Sequence, residues 1–555
     1  MNNRLRFASL AGICAACWIV LAGCGGQPIG GVESTPTAMP TATDTPTATP
    51  FVFPTPEPSP TAVPRFWISP TLPSAIRGSF LPPSGWRIAD NPEEADLRLG
   101  IGGGESVATW VYALVAPFPT VEDGVSSADL LSIWSGTPVG PFGWLALLMD
   151  QETLDVLSAK FGPPAENAVR LVETERLADE AWDGRPAWAI VPFEQLEPRW
   201  KVLTVDGISP LRKEFRAEDY LLSVDIALDG DPALTDEFKA AVDIPAANRD
   251  PLKLTVVVMT GVTALVRGTA WLMEEKGILY PAQDIASILQ SADLTHISNE
   301  IAFVPDCPFP NPGLVSLNFC SDPRYIDLLE YIGTDIVELT GNHLKDWSPE
   351  ALSYTIGLYK QRGWLYFGGG ANLNESRKAA LVEHHGNRLA FIGCDAFFND
   401  KSWATETEPG SAPCDMEFFR GEVRRLRESN YLPIMTFQYY ESNHYTPTPD
   451  QELDFRSMAD DGAVIVSGSQ AHFPQSFAFP NGSFVHYGLG NLFFDQYYVM
   501  PETRNAFIDR HIFYAGRYLG TELITIVFED NARARLMTPE ERSAFLRTVF
   551  SNSIW

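Results

Sequence analysis

Three polar segments in the second half of the chain each follow a short run of apolar or β-branched residues, and each carries donor side chains. They are Ser298-Asn299-Glu300, Thr340-Gly341-Asn342-His343, and Gly-Ser-Gln-Ala-His at 468–472. A fourth, Thr260-Gly261-Val262, has the same setting but no donor at its last position. Carboxylates, imidazoles and amide oxygens are the groups that hold hard or borderline cations, which position phosphate and lower the pKa of a bound water. Each segment also has a plainer reading. Asn342 after Gly341 suits a tight turn, and His472 before Phe473-Pro474 suits a hydrogen-bonded structural histidine.

Positioning such groups calls for strands that end side by side. The runs 254–259, 336–339, 388–392, 433–437 and 463–466 read as buried strands. Between several of them, 281–292, 349–362 and 417–428 read as amphipathic helices. Ser348 followed by Pro349 is a hydroxyl cap with proline at the first helical position. The alternation predicts an α/β fold, and polar residues just past its strands stand where open α/β sheets gather their sites.

Taken in order, these motifs resemble the CapA family of capsule and poly-γ-glutamate synthesis proteins. The resemblance runs over 252–550. It includes the stretch 283–294 leading to Asn299-Glu300, where the family has Asn-Leu-Glu. Next come Thr340-Gly-Asn-His-Leu-Lys-Asp, similar to the family's Asn-Asn-His-x-x-Asp, then Phe367-Gly-Gly-Gly and Tyr487-Gly-Leu-Gly-Asn-Leu-Phe-Phe-Asp-Gln. The resemblance implies a calcineurin-like metallophosphatase α/β sandwich. It implies metal ligation by Glu300, Asn342 and His472, with Mn or a similar divalent ion as cofactor. It also implies a catalytic His343 facing substrate as general acid or charge stabiliser, with Asp346 behind the ligands. The departures are as specific as the matches. Val262 stands where the family has Asp, Gln438-Tyr439-Tyr440 where it has His-Trp-Gly, and Gln470 where it has an imidazole. Glu441 and His444 are nearby substitutes. One carboxylate and two histidines can serve one ion but not a dinuclear centre, and a lost ligand is rarely compensated from further out.

Other histidines and glycines read as structural. His486 lies in an apolar run, His384-His385 precede the turn Gly386-Asn387, and Gly368–Gly370 lack the Lys-Ser/Thr of a phosphate loop.

The amino terminus has Arg4 and Arg6, an apolar stretch over 7–22 and the closing Leu21-Ala22-Gly23-Cys24. This reads as a bacterial lipoprotein signal over 1–23, with Cys24 acylated and the body lipid-anchored to the membrane outside the cytoplasm. The alternative is an uncleaved anchor, for which the apolar run is short. Residues 24–64 are Thr/Pro-rich, too polar to pack and biased to an extended backbone, so they read as a spacer. Beyond the signal and lipobox remain Cys307, Cys320, Cys394 and Cys414. An even number in an exported chain predicts disulfides, with 307–320 and 394–414 favoured among three connectivities.

The chain has 555 residues, 45% hydrophobic, with a formal net charge of −30. That length exceeds one ordinary core, and that charge opposes nucleic-acid binding. The remaining region, 65–248, resembles type 2 periplasmic binding proteins. The resemblance rests on Trp110-Val-Tyr-Ala-Leu-Val-Ala-Pro, the run 125–136 closing on Trp134-Ser135-Gly136, and Trp188-Ala-Ile-Val-Pro. Gly102-Gly103-Gly104 before Glu105-Ser106 reads as a loop between strands. Two functions of different class follow. One is a metal-dependent phosphoesterase-like hydrolase or transferase acting on an envelope polymer. The other is a noncatalytic surface protein binding a polymer, a small anion or a partner.

Overall fold

Val256, Val257, Val258 and Met259 are all buried, yet they face different cores because successive strand residues point to opposite sides. Val257 and Met259 pack between two sheets, and Val258 packs against helices. The strand that carries them, β1 (Leu254–Thr260), is flanked by β2 (Leu294–Asn299), and β2 in turn by β3 (Ile336–Glu338). These three run parallel, and Leu365–Phe367 extends the sheet beyond β3. The facing sheet is built on β4 (Asn387–Asp395), β5 (Leu432–Gln438) and β6 (Ile465–Ser469), also parallel. On the other side of β1 the first sheet continues, antiparallel, through β7 (Asn505–Tyr514) and β8 (Arg517–Phe528).

Helices close the outer faces. Arg267–Lys276, Ile326–Tyr331 and Pro349–Arg362 cover the first sheet, while Met416–Glu428 and Pro449–Asp460 cover the second. The result is a mixed α/β sandwich of four layers. Ser348 accepts a hydrogen bond from Ala351 N at 3.2 Å, and Gly363 ends that helix at φ 73°. The helix expected over 281–292 is instead a 3₁₀ turn, Tyr280–Ala282, and a short helix, Ala286–Gln290. Buried Ala282, Ile285, Ala286 and Leu289 supply helical periodicity. The chain kinks among them where Asp284 reaches out to Arg533 at 2.7 Å.

The computed structural model describes residues 63–555 except 81, 144, 244, 315, 398–399 and 497–499. The signal, Cys24 and the spacer as far as residue 62 lie outside the described residues. Among the described residues no helix is long and apolar enough to cross a membrane.

Residues 65–230 form a mixed sheet around the long strand Glu105–Pro117. Gly102 and Gly103 turn the chain into that strand with φ 61° and 82°. The helix Ser127–Trp134 opens with a capping box of Ser126 and Asp129, and Trp134 donates its indole N–H to Gly162 O at 2.9 Å. This region's apolar core is continuous with Leu254, Val256, Ile512, Tyr514 and Leu519 of the sandwich. Arg542 grips Asp123 through two hydrogen bonds of 2.7 and 2.8 Å, and Lys201 meets the same carboxylate at 2.7 Å. Two disulfides, Cys307–Cys320 and Cys394–Cys414, have Cα separations of 5.8 and 5.0 Å.

Candidate functional site

Glu300 directly follows β2, and Asn342 and His343 follow β3 by a few residues. Gln438 ends β5, and Gln470 and His472 lie just past β6. The close approach of the first two segments requires Gly341, because a Cβ there would stand 2.7 Å from Glu300 Cα. Backbone in the left-handed region aims the others: φ is 75° at Gln470, 52° at His472 and 45° at Arg267. Three such non-glycine residues at one end of a sandwich mark a place where the surrounding fold holds strained backbone in position.

Glu300, Asn342 and Gln470 meet at the carboxamide of Gln438. Its Nε2 donates to Asn342 Oδ1 at 2.9 Å and to Gln470 Oε1, and lies 3.4 Å from Glu300 Oε1. Its Oε1 accepts from Ser469 Oγ at 2.7 Å, which orients the amide. Thr340 donates to Glu338 Oε1, which also lies 3.1 Å from Ser469 Oγ, and the other Glu338 oxygen is 3.2 Å from His296.

The two histidines flank this group in different states. His343 Nδ1 pairs with Asp346 Oδ2 at 2.7 Å, and Asp346 also accepts from Phe319 N at 3.0 Å. Burial opposes charge on His343, but the Asp346 hydrogen bond and the carboxylates of Glu300, Asp346 and Glu441 outweigh it and raise its pKa. His472 Nδ1 pairs with Asn491 Oδ1 at 2.8 Å, leaving Nε2 3.9 Å from Glu441 Oε1. Burial pushes His472 down to about 4, so this imidazole is neutral at pH 7. Burial pushes the Glu300 carboxyl up to about 7, with Glu441 and Asp346 adding to the rise against His343 and Arg267. Glu300 Oε2 accepts no hydrogen bond among the described residues.

Arg267 joins the two sides. Its guanidinium lies 5.3 Å from the Phe319 ring and 4.8 Å from the Phe494 ring, and it pairs with Asp495 at 2.7 Å. Phe319 is 4.9 Å from the His343 ring and Phe494 is 5.1 Å from the His472 ring. Imidazole, phenyl, guanidinium, phenyl and imidazole therefore follow one another across this end of the sandwich.

The donor set does not fit a pair of divalent ions. Val262 is fully buried in an apolar cluster with Ala264, Ile301, Phe319 and Phe494, and it offers methyl groups at the position where the resemblance already marked a missing Asp. Among the described residues, no group of three or more His, Cys, Asp or Glu side chains is placed to hold a metal. His486 and His385 lie elsewhere. His486 is buried against Asp509 at 2.6 Å, and His385 with Gly386 forms the two-residue turn of the hairpin Ala380–His384/β4. A cavity of about 300 Å³ by Phe118, Asp123, Lys201 and Arg542 is away from these groups, and its charges are paired with one another.

Residues 256–496 match the family described as bacterial capsule synthesis protein PGA_cap. The PGA_cap match contains Arg267, Glu300, Asn342, His343, Gln438, Gln470, His472 and Asp495, and all four cysteines of the disulfides. The chain is 23% identical over 288 residues to the capsule biosynthesis protein CapA of Bacillus anthracis, covering 51% of this chain and 69% of that protein. It is 23% identical over 172 residues to the PGA biosynthesis protein CapA of Bacillus subtilis (strain 168), covering 31% of this chain and 45% of that one. Among solved structures, the 5'-nucleotidase precursor from Thermus thermophilus aligns at 13% identity and a TM-score of 0.32, over 53% of this chain and 57% of that one.

Gln438 was visible in the sequence only as a departure from a motif. Asp495 stood inside the late motif at 487–496, but its pairing with Arg267 was not legible, since an ion pair between segments more than two hundred residues apart is not written in local spacing.

Proposed function

We propose that the protein is a lipid-anchored envelope protein of the CapA type, acting in the biosynthesis or processing of a capsule-like or poly-γ-glutamate-like polymer. In this reading 252–550 is a metallophosphatase-fold domain with a partly degenerate metal site, and 65–248 is a periplasmic-binding-protein-like domain. The observation that carries it is the gathering of Glu300, Asn342, His343 and His472 at strand ends inside the PGA_cap match.

The cleft's chemistry then rests on the chain's own groups. His343, with Nδ1 held by Asp346 and its charged form favoured by that carboxylate, offers Nε2–H to an anionic group of the polymer. His472, neutral and fixed through Asn491, offers a lone pair to a donor. Arg267 holds the aromatic pair that separates them. A noncatalytic binding role is the second reading, favoured by the buried Val262.

Deleting the gene in its host and measuring cell-surface acidic polymer tests the first reading: a loss supports it, and unchanged polymer amount and chain length would sink it. Mn²⁺-dependent phosphodiesterase assays on the full chain in detergent separate the two readings, because turnover abolished by His343→Ala requires a catalytic site. Replacing Cys24 with Ser should release the protein from membranes, and retention with an intact Met1 terminus would indicate a spanning anchor instead.

A further inference from the structure

Three oxygens from three separate strand ends point at one nitrogen in the cleft. Gln438 Nε2 gives its two protons to Asn342 Oδ1 and Gln470 Oε1 and lies 3.4 Å from Glu300 Oε1, and the four side chains are almost wholly buried. A carboxylate and two amide oxygens converging on a point form the environment that a hard cation makes around itself. The group at that point is an NH₂ carrying partial positive charge and two protons.

Strand ends and backbone hold the arrangement in place, while Glu300 Oε2 and Gln470 Nε2 have no hydrogen-bond partner among the described residues. Ser469 Oγ meets the far end of the Gln438 amide at 2.7 Å, and turning the amide over would set its oxygen against the oxygens of Glu300, Asn342 and Gln470. Gln470 is held in left-handed backbone, a conformation a glutamine adopts only where its surroundings compel it. Gln438 is itself the last residue of a fully buried strand, so it cannot swing aside without disturbing the sheet.

We propose that Gln438 is a built-in substitute for a cation: its carboxamide nitrogen fills the oxygen-lined hollow between Glu300, Asn342 and Gln470 and makes this cleft independent of divalent metal. The inference concerns how the cleft is held together and stands whether or not the protein serves a capsule-like polymer.

The test uses the full chain in detergent, titrated with Mn²⁺ and separately with Zn²⁺, followed by equilibrium dialysis and thermal melting, with circular dichroism as the check on folding. The unaltered protein should take up no stoichiometric metal and melt at the same temperature with EDTA or Mn²⁺. Gln438→Glu keeps the shape but sets a second carboxylate against Glu300. It should melt lower in EDTA, recover with Mn²⁺, and gain roughly tenfold to hundredfold in Mn²⁺ affinity. Gln438→Asn, which draws the amide back by one methylene, serves as a second variant and should open the same hollow to the ion. Stoichiometric metal in the unaltered protein would overturn the proposal, as would failure of both folded variants to gain metal-dependent stability. Neither result bears on the polymer phenotype of a gene deletion.

Discussion

Two buried carboxyls sit at the ends of strands on facing sheets: Glu300 just past β2 and Asp395 at the end of β4. Burial is the largest influence on both, and both are pushed up to about 7. Their partners differ. Asp395 accepts from Ser402 Oγ at 2.8 Å, Ser411 Oγ at 2.9 Å and Phe397 N at 3.0 Å, inside a loop closed by Cys394–Cys414. Glu300 has the Gln438 amide on one oxygen and no hydrogen bond among the described residues on the other. A raised pKa therefore does not separate a carboxyl satisfied by its own loop from one left with an unpaired oxygen.

The contrast can be broken most directly at Asp395. Asp395→Ala removes the acceptor of Ser402 Oγ, Ser411 Oγ and Phe397 N, of which Ser411 keeps Ser402 O at 3.2 Å, and should cost about 3 kcal/mol in urea unfolding. A loss below about 1 kcal/mol would mean that the knot around Asp395 is not structural. Removing the neighbouring disulfide with Cys394→Ser and Cys414→Ser frees a loop with a sequence separation of 20 residues. On chain-entropy grounds that should cost about 3 kcal/mol, provided peptide mapping confirms the pairing in the parent protein.

The pH dependence of stability sharpens the Glu300 side. Below about 4.5 Glu300 is protonated in both folded and unfolded chains, and its contribution is fully present. As pH rises through about 7 the unfolded chain has already released the proton that the folded one still holds, so stability falls. Glu300→Gln should remove that fall, a difference of about 3 kcal/mol between the two proteins' pH profiles. Parallel profiles would show that water or a cation already compensates the carboxylate. The smallest effect is expected at Glu441, whose side chain is 60% exposed. Glu441→Ala should shift stability by less than about 0.5 kcal/mol, and a larger loss would place it inside the buried network.

Local pattern was enough to read β1 and the strands β3 to β6 to within a few residues, because each is a compact β-branched run. The Pro349 helix was legible through its cap. The mixed α/β class followed from their alternation, and the disulfides from cysteine parity. The stretch 281–292 was misread because four buried apolar residues at helical spacing describe a face, not the backbone that presents it. At the site, the segments carrying Glu300, Asn342, His343 and His472 announced themselves by following strands. What Gln438 does could not be read, since a glutamine acquires its meaning only from the three oxygens that other strand ends bring to it. Asp395 was hidden for the same reason, its partners lying in a loop with no pattern of its own.

The amide at the centre of the site has a consequence wherever the supply of divalent ions varies. A carboxamide is joined to the chain by carbon bonds, so it cannot be stripped by a chelator or exchanged for a competing ion. The cleft therefore keeps one shape in surroundings starved of divalent ions and in surroundings rich in them, and it is complete as soon as the chain has folded.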